Sequence, residues 1–263
     1  MFEDGKPILY EKLSWDEATI LGKDPGLILL APGSLEQHGP HCSMDVDALI
    51  NYEICKKISE KLRVPVFPKI MPGISQSHGF PGTVWLRPET FTAYLYDIIS
   101  SLVETGYQKF LLLNGHMWNQ SALLGVRDNV RCDFREVQIR VMNWWNFDPD
   151  VYRLVSQDCP LGRSLHANIG ETACMLAIDP DHQNMEKAIR LKVDNPEYEH
   201  FWDYREEQMT TSGVMGASAT EATAELGEEI ITLAASKLID MLISALKEKP
   251  RYSERQKHPG LDV

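Results

Sequence analysis

Apolar and polar positions along the chain fall into two alternating periods. Short apolar runs at residues 27–31 (LILLA) and 110–113 (FLLL) each stop at a turn, Pro32-Gly33-Ser34 in one case and Asn114-Gly115 in the other. Runs of that length bounded by turn residues predict buried strands. Between and after them come stretches of helical spacing: 48–62, with Ile50, Ile54, Ile58 and Leu62 on one side, and 89–105, with Leu95, Ile98, Ile99 and Leu102. Further helices are predicted at 120–130, from 171 to 178 and over 220–247. Residues 64–70 give a strand interrupted by prolines, and 137–145 a strand with an alternating start. Buried strands alternating with amphipathic helices predict an α/β fold with helices on both sides of a mainly parallel sheet. No repeat, low-complexity tract or linker divides the chain, so one domain is expected over 1–250, with a polar tail at 251–263.

Charge and cysteine usage narrow the function. A net charge of −12 argues against a nucleic-acid partner, because backbone binding requires Lys and Arg to neutralise phosphates. No apolar stretch reaches the eighteen or so residues a membrane helix needs, and the first residues carry mixed charge with no apolar signal core. A cytoplasmic protein is expected. Cys42, Cys55, Cys132, Cys159 and Cys174 are odd in number, widely spaced and without a CxxC pair, which disfavours both a disulfide framework and a cysteine zinc site. Neither GxGxxG nor GxxxxGK[ST] occurs, so the phosphate-cradling fingerprints are missing.

In parallel α/β sheets, sites form outside the carboxyl ends of the strands. Beyond the first strand lies GSLEQHGPHCSMDVD (33–47), where Glu36 and His38, two residues apart in extended backbone, can serve one volume. Asp47 opens the next helix and can fold back over that loop; His116 holds the equivalent place after the FLLL strand. A Glu-x-His pair arises often by chance, and a histidine after a strand and glycine is commonly a plain loop residue. Both patterns at neighbouring strand ends, with no rival site, are harder to dismiss. The mixed oxygen and nitrogen set suits Zn²⁺, Mn²⁺ or Fe²⁺ and not Ca²⁺. A central aspartate can bridge two ions roughly 3.5–4 Å apart, which lowers the pKa of a bridging water to about 7 and polarises a carbonyl. No Ser-His-Asp arrangement accompanies Ser34, Ser77 or Ser121, so a serine hydrolase is rejected.

The stretch 33–47 resembles the creatininase-family signature Gly-Ser-x-Glu-Gln-His-Gly with its downstream aspartate. In the same order, Ser77-His78-Gly-Phe-Pro-Gly-Thr83 resembles a second family loop, Asn114-Gly-His-Met-Trp-Asn119 the N-G-H-x-x-N motif, and His166-Ala167 with Glu171-Thr172 the H-A…E-T segment. The resemblance implies a three-layer α/β/α creatininase-like fold. It further implies a hydrolase holding two divalent ions, Zn or Mn with Fe or Co possible, on Glu36, His38, Asp47 and His116, Asp47 bridging. Asp45 is then a solvated or supporting carboxylate and His41 a loop support. Glu171 either completes the ligand set or is a carboxylate held by the helix dipole. His166 is the candidate general acid and base, since imidazole titrates near neutral pH; the alternative is a hydrogen-bonded structural histidine. Ser77, His78, Trp118 and Trp145 are expected at the substrate, although His78 could instead support a ligand from behind and Trp145 could pack in the core.

The pocket departs from creatininase itself. Trp118 stands where that enzyme has a further glutamate, and Gly162-Arg163 where a substrate-packing tryptophan is expected. Creatinine is therefore a poor candidate substrate, and the expected reaction is attack of activated water on the carbonyl of a small cyclic amide. Ring-opening C–C hydrolysis of a cyclic diketone of the 3-dehydro-scyllo-inosose type, deformylation and a non-catalytic metal-binding relative are the alternatives. Arg163, if it faced the pocket, would favour an anionic substrate. The family resemblance also implies a homo-oligomer, expected as a hexamer.

Overall fold

The apolar run at 27–31 is buried from end to end in the computed structural model, which describes residues 2–157, 165–190 and 204–249. In chain order the elements are β1 (Ile8–Leu9), α1 (Trp15–Lys23), β2 (Leu27–Leu30), α2 (Val46–Leu62), β3 (Pro65–Val66), α3 (Pro88–Thr105), β4 (Lys109–Asn114), α4 (Gln120–Asp133), β5 (Gln138–Asn143), α5 (Pro149–Ser156), α6 (Ile169–Ile178), α7 (Glu206–Met209) and α8 (Ala224–Ala245). Among the described residues the strands form one sheet in the order β1-β3-β2-β4-β5, every pair parallel.

Side chains alternate across a strand, and here the alternation builds two cores. Leu27, Leu29 and Ala31, with Leu111 and Leu113 of β4, pack against Ile50, Ile54 and Ile58 of α2 and Ile230, Ile231 and Leu238 of α8. Ile28 and Leu30, with Phe110 and Leu112, pack on the other face against Phe91, Leu95 and Ile99 of α3 and Leu123, Val126 and Val130 of α4. Each such side chain contributes about 1.5–3 kcal/mol when fully buried, so both faces of the central strands must be covered. The result is the three-layer α/β/α architecture.

Several boundaries differ from the sequence pattern for local reasons. The strand expected at 64–70 is reduced to Pro65–Val66, because Pro65 and Pro68 lack the N–H a ladder needs; pairing returns only as a bridge between Pro32 and Ile70. Helix α6 starts two residues before 171, where the Asn168 side chain accepts from the Glu171 N–H at 2.9 Å. Helix α8 starts at Ala224, capped by the Thr223 hydroxyl. The polar tail at 251–263 lies outside the described residues. No helix among the described residues is long and apolar enough to cross a membrane.

What positions the site is the register of β2 on β4, Leu30 opposite Leu112, which brings the two following loops out side by side. Asn51 of α2 fastens them: its side-chain amide donates to the Pro32 carbonyl at 3.0 Å and the Leu113 carbonyl at 2.8 Å.

Candidate metal centre

After β2 the chain loops back on itself, with the Glu36 N–H donating to the Met44 carbonyl at 2.9 Å. That turns the Glu36 and His38 side chains inward, leaving them 1% and 0% exposed. Asp47 projects from the first turn of α2. Opposite, Gly115 passes so close to α2 that a Cβ would overlap the Asp47 carbonyl oxygen. Glycine is therefore what allows the next residue, His116, to sit beside Asp47. Reciprocal hydrogen bonds with Asn114 hold it there: Nδ2 to the His116 carbonyl at 2.7 Å, and the His116 N–H to Oδ1 at 3.1 Å.

Asp47 faces two imidazoles at once. Its Oδ1 is 3.2 Å from His38 Nε2 and its Oδ2 is 3.1 Å from His116 Nδ1. Glu36 Oε2 lies 3.2 Å from His116 Nε2, and Glu171 Oε2 is 3.9 Å from His38 Nε2. The other ring nitrogens meet backbone carbonyls, His38 Nδ1 that of Glu36 at 3.3 Å and His116 Nε2 that of Ile74 at 2.8 Å. With a cation in place, an N–H donated to each carbonyl would leave the other nitrogen's lone pair for an ion beside Asp47. Both oxygens of Glu36, His38 Nε2, Asp47 Oδ2 and Glu171 Oε2 are buried with nothing beyond these carboxylate–imidazole contacts to satisfy them. Three carboxylates packed together in this way are costly to bury unless further positive charge joins them. Three overlapping groups have donor atoms within 4.8 Å of one another: Glu36, Asp47 and His116; His38, His166 and Glu171; and Glu36, His78 and His166. The donor chemistry fits Zn²⁺ or Mn²⁺.

The remaining expected residues separate into those that meet this centre and those that do not. His166 is buried over it, its ring 4.3 Å from that of His38, with Nε2 2.8 Å from the Gln37 carbonyl and Nδ1 3.7 Å from Glu36 Oε1. His78 reaches Glu36 Oε1 through Nε2 at 3.0 Å. Trp118 and Trp145 line the cavity of about 310 Å³ above the centre, with Met117, Leu165 and Met215. Ser77 does not line it; its carbonyl instead accepts from the Glu206 N–H at 2.9 Å. Ser75, two residues earlier, is the serine near His116 Nε2, at 3.3 Å. His41 supports the loop from behind through Thr172 Oγ1 at 3.0 Å, and Asp45 points away toward Lys69 at 3.5 Å. Gly162 and Arg163 lie outside the described residues. Glu206 is the buried site carboxylate that sequence reasoning missed: nothing in the run Glu206-Glu207 distinguishes its first member. A cavity of about 380 Å³ at the amino ends of β2 and β4, lined by Leu27, Lys109, Ile139 and Leu242 among others, brings no comparable cluster together.

The family model for creatininase (creatinine amidohydrolase) matches residues 11–242. The chain belongs to the creatininase family. It is 28% identical over 253 residues to the creatinine amidohydrolase of Pseudomonas putida, covering 90% of this chain and 96% of that one. It is also 28% identical over 172 residues to the 3-dehydro-scyllo-inosose hydrolase of Thermotoga maritima, covering 64% of this chain and 55% of that one. Among solved structures, a manganese creatininase and a creatininase variant of Zn–Zn type each superpose with a TM-score of 0.81 at 27% identity, covering 92% of this chain and 100% of the other. The protein is thus a creatininase-family hydrolase with the α/β fold of those enzymes and a buried cluster suited to metal.

The charges of this creatininase-family centre perturb one another strongly. Burial works against protonation of His38, but Asp47, then Glu171 and Glu36, hold its proton up to about 10. His116 is likewise raised well above the usual imidazole value, burial being overcome by Glu36 and Asp47. Burial opposes ionisation of Glu36, yet His116 and His78 keep it well below the usual carboxylate range. His166 goes the other way: burial, reinforced by His38, pushes it down to about 4. Burial lifts Glu171 to about 7, an effect His38 partly offsets and Asp47 strengthens. A neutral imidazole therefore overhangs a cluster of carboxylates and charged rings.

Proposed function

We propose that this creatininase-family hydrolase depends on two divalent cations, Zn²⁺ or Mn²⁺, and hydrolyses a small cyclic amide. The observation that carries the reading is Asp47, whose two oxygens face His38 Nε2 at 3.2 Å and His116 Nδ1 at 3.1 Å in a group of buried donor atoms. Glu36, Asp47 and His116 would hold one cation; His38, Asp47 and Glu171 the other. When bound, such a pair supplies a water of lowered pKa and polarises the substrate carbonyl.

The chain's own residues do the rest. His166 Nε2 lies 2.8 Å from the Gln37 carbonyl, and in the tautomer that donates to it Nδ1 is the nitrogen left to accept a proton and return it to the leaving atom. Its depressed pKa keeps that nitrogen neutral and available. Met117, Trp118, Trp145, Leu165 and Met215 give the cavity an apolar wall against which a small ring can pack. About 310 Å³ suits a small ring. No Lys or Arg lines it among the described residues, which favours a neutral substrate over an anionic one. Trp118, in the place of the family's further glutamate, argues against creatinine itself. The identity shared with the 3-dehydro-scyllo-inosose hydrolase supports a second reading, hydrolytic ring opening of a cyclic diketone by the same residues. Residues 1–250 would act as one domain, and exposed Trp15 and Trp85 offer apolar area for assembly into a homo-oligomer.

Elemental analysis tests the reading. Protein purified without added metal should carry about two divalent ions per chain, and turnover in a screen of cyclic amides, formamides and cyclic diketones should vanish on chelation and in His116→Ala. Protein that holds no metal and takes up neither Zn²⁺ nor Mn²⁺ would refute it.

A further inference from the structure

Glu36 divides its two oxygens between different neighbours. Oε2 faces His116 at 3.2 Å, within the cluster that includes Asp47; Oε1 faces His78 Nε2 at 3.0 Å. The other nitrogen of that ring, Nδ1, lies 2.9 Å from Glu206 Oε2. Glu36, His78 and Glu206 thus form a buried line, exposed by only 1%, 1% and 4%. We propose that Glu206 is a positioning residue for Glu36, acting through the His78 ring. The proposal rests on the cation-binding role assigned to Glu36 above.

An imidazole that meets one carboxylate can rotate about χ1 and χ2; one fixed at both ring nitrogens cannot do so without breaking a buried contact. The only other polar side chain at His78 Nδ1 among the described contacts is the Gln37 amide, at 3.4 Å. Glu206 is itself held in place. Its N–H donates to the Ser77 carbonyl at 2.9 Å, next to His78 in sequence, and its carbonyl accepts from the Thr210 N–H at 2.9 Å. One residue on, the Glu207 carboxylate occupies the space a Cβ on Gly79 would need. Helix α7 is therefore seated directly on the loop that carries His78.

The consequence is selective. Carboxylates that ligate metals are held by hydrogen-bonding partners, and loss of such a partner costs about 10–100-fold in metal affinity. Among the described contacts Glu206 meets neither His38 nor Glu171; its remaining titratable neighbour is the neutral His166, Nε2 at 3.9 Å, outside hydrogen-bonding reach. Its removal should weaken the cation on Glu36 and His116 and spare the one on His38 and Glu171.

The test is calorimetric titration of Zn²⁺ into protein stripped of metal by a chelator that is then removed. Wild type should take up two equivalents, and Glu206→Gln should weaken one of them about 10–100-fold while leaving the other unchanged. Glu206→Asp, which keeps the charge, should recover part of the loss and covers the case in which the glutamine variant folds poorly. Glu229→Gln, at an exposed position on α8, should behave as wild type. Activity lost in Glu206→Gln should return when Zn²⁺ is raised about 100-fold, which neither a substrate contact nor a general folding defect would allow. Equal weakening of both equivalents, or no weakening, would overturn the proposal. Wild type that binds no Zn²⁺ would instead overturn the metal reading itself.

Discussion

Asp47 turns one carboxylate oxygen toward His38 and the other toward His116, at 3.2 and 3.1 Å. Those imidazoles hold their protons strongly, His38 up to about 10 and His116 well above its usual value, because buried carboxylates surround them. A cation needs the unprotonated nitrogen. The sign follows: below about pH 10 an incoming ion must displace the His38 proton, so uptake releases protons and affinity rises with pH toward that value. Titrating Zn²⁺ at pH 7 in buffers of different ionisation enthalpy should therefore show about one proton or more released per chain, and no buffer dependence would contradict it. Glu36, His38, Asp47 and His116 were legible in the sequence because each closely follows an apolar run or opens the helix after one. Glu206 was not, since its partner His78 is far away in sequence and α7 is a single turn with no periodicity to mark it.

At the scale of elements, the site depends on how β2, β4 and α2 are fastened. Asn51 spends its amide on two buried carbonyls, those of Pro32 and Leu113. Asn51→Ala leaves both without that donor and should destabilise the protein by about 1–3 kcal/mol, read as a lower denaturant midpoint at unchanged m-value. A midpoint equal to wild type would mean that the two loops are held by other contacts. The long periodic helices α2, α3 and α8 and the apolar strands β2 and β4 could be read directly from the sequence. Helix α1 could have been, because Ser14 and Glu17 form a capping box ahead of it. Strand β1, with two residues, is too short for periodicity to register, and β3 is curtailed by its prolines.

For the whole molecule, the parallel sheet explains why distant motifs converge. All strand pairs run the same way, so the loops after β2 and β4 leave one edge together and α6 brings Glu171 to it across the cavity. The layers were legible from short apolar runs alternating with amphipathic helices, and Leu27, Ile28, Leu29 and Leu30 divide between the two cores accordingly. The cavity walls could not be foretold, since Leu165 and Met215 come together only through the bridge between His166 and Met215. The most direct measurement is anomalous X-ray diffraction from crystals grown with Zn²⁺ or Mn²⁺, recorded on both sides of the metal edge. Two peaks flanking the Asp47 carboxylate, one toward Glu36 and His116 and the other toward His38 and Glu171, are the predicted result. A single peak remote from Asp47, or none at full metal occupancy in solution, would contradict it.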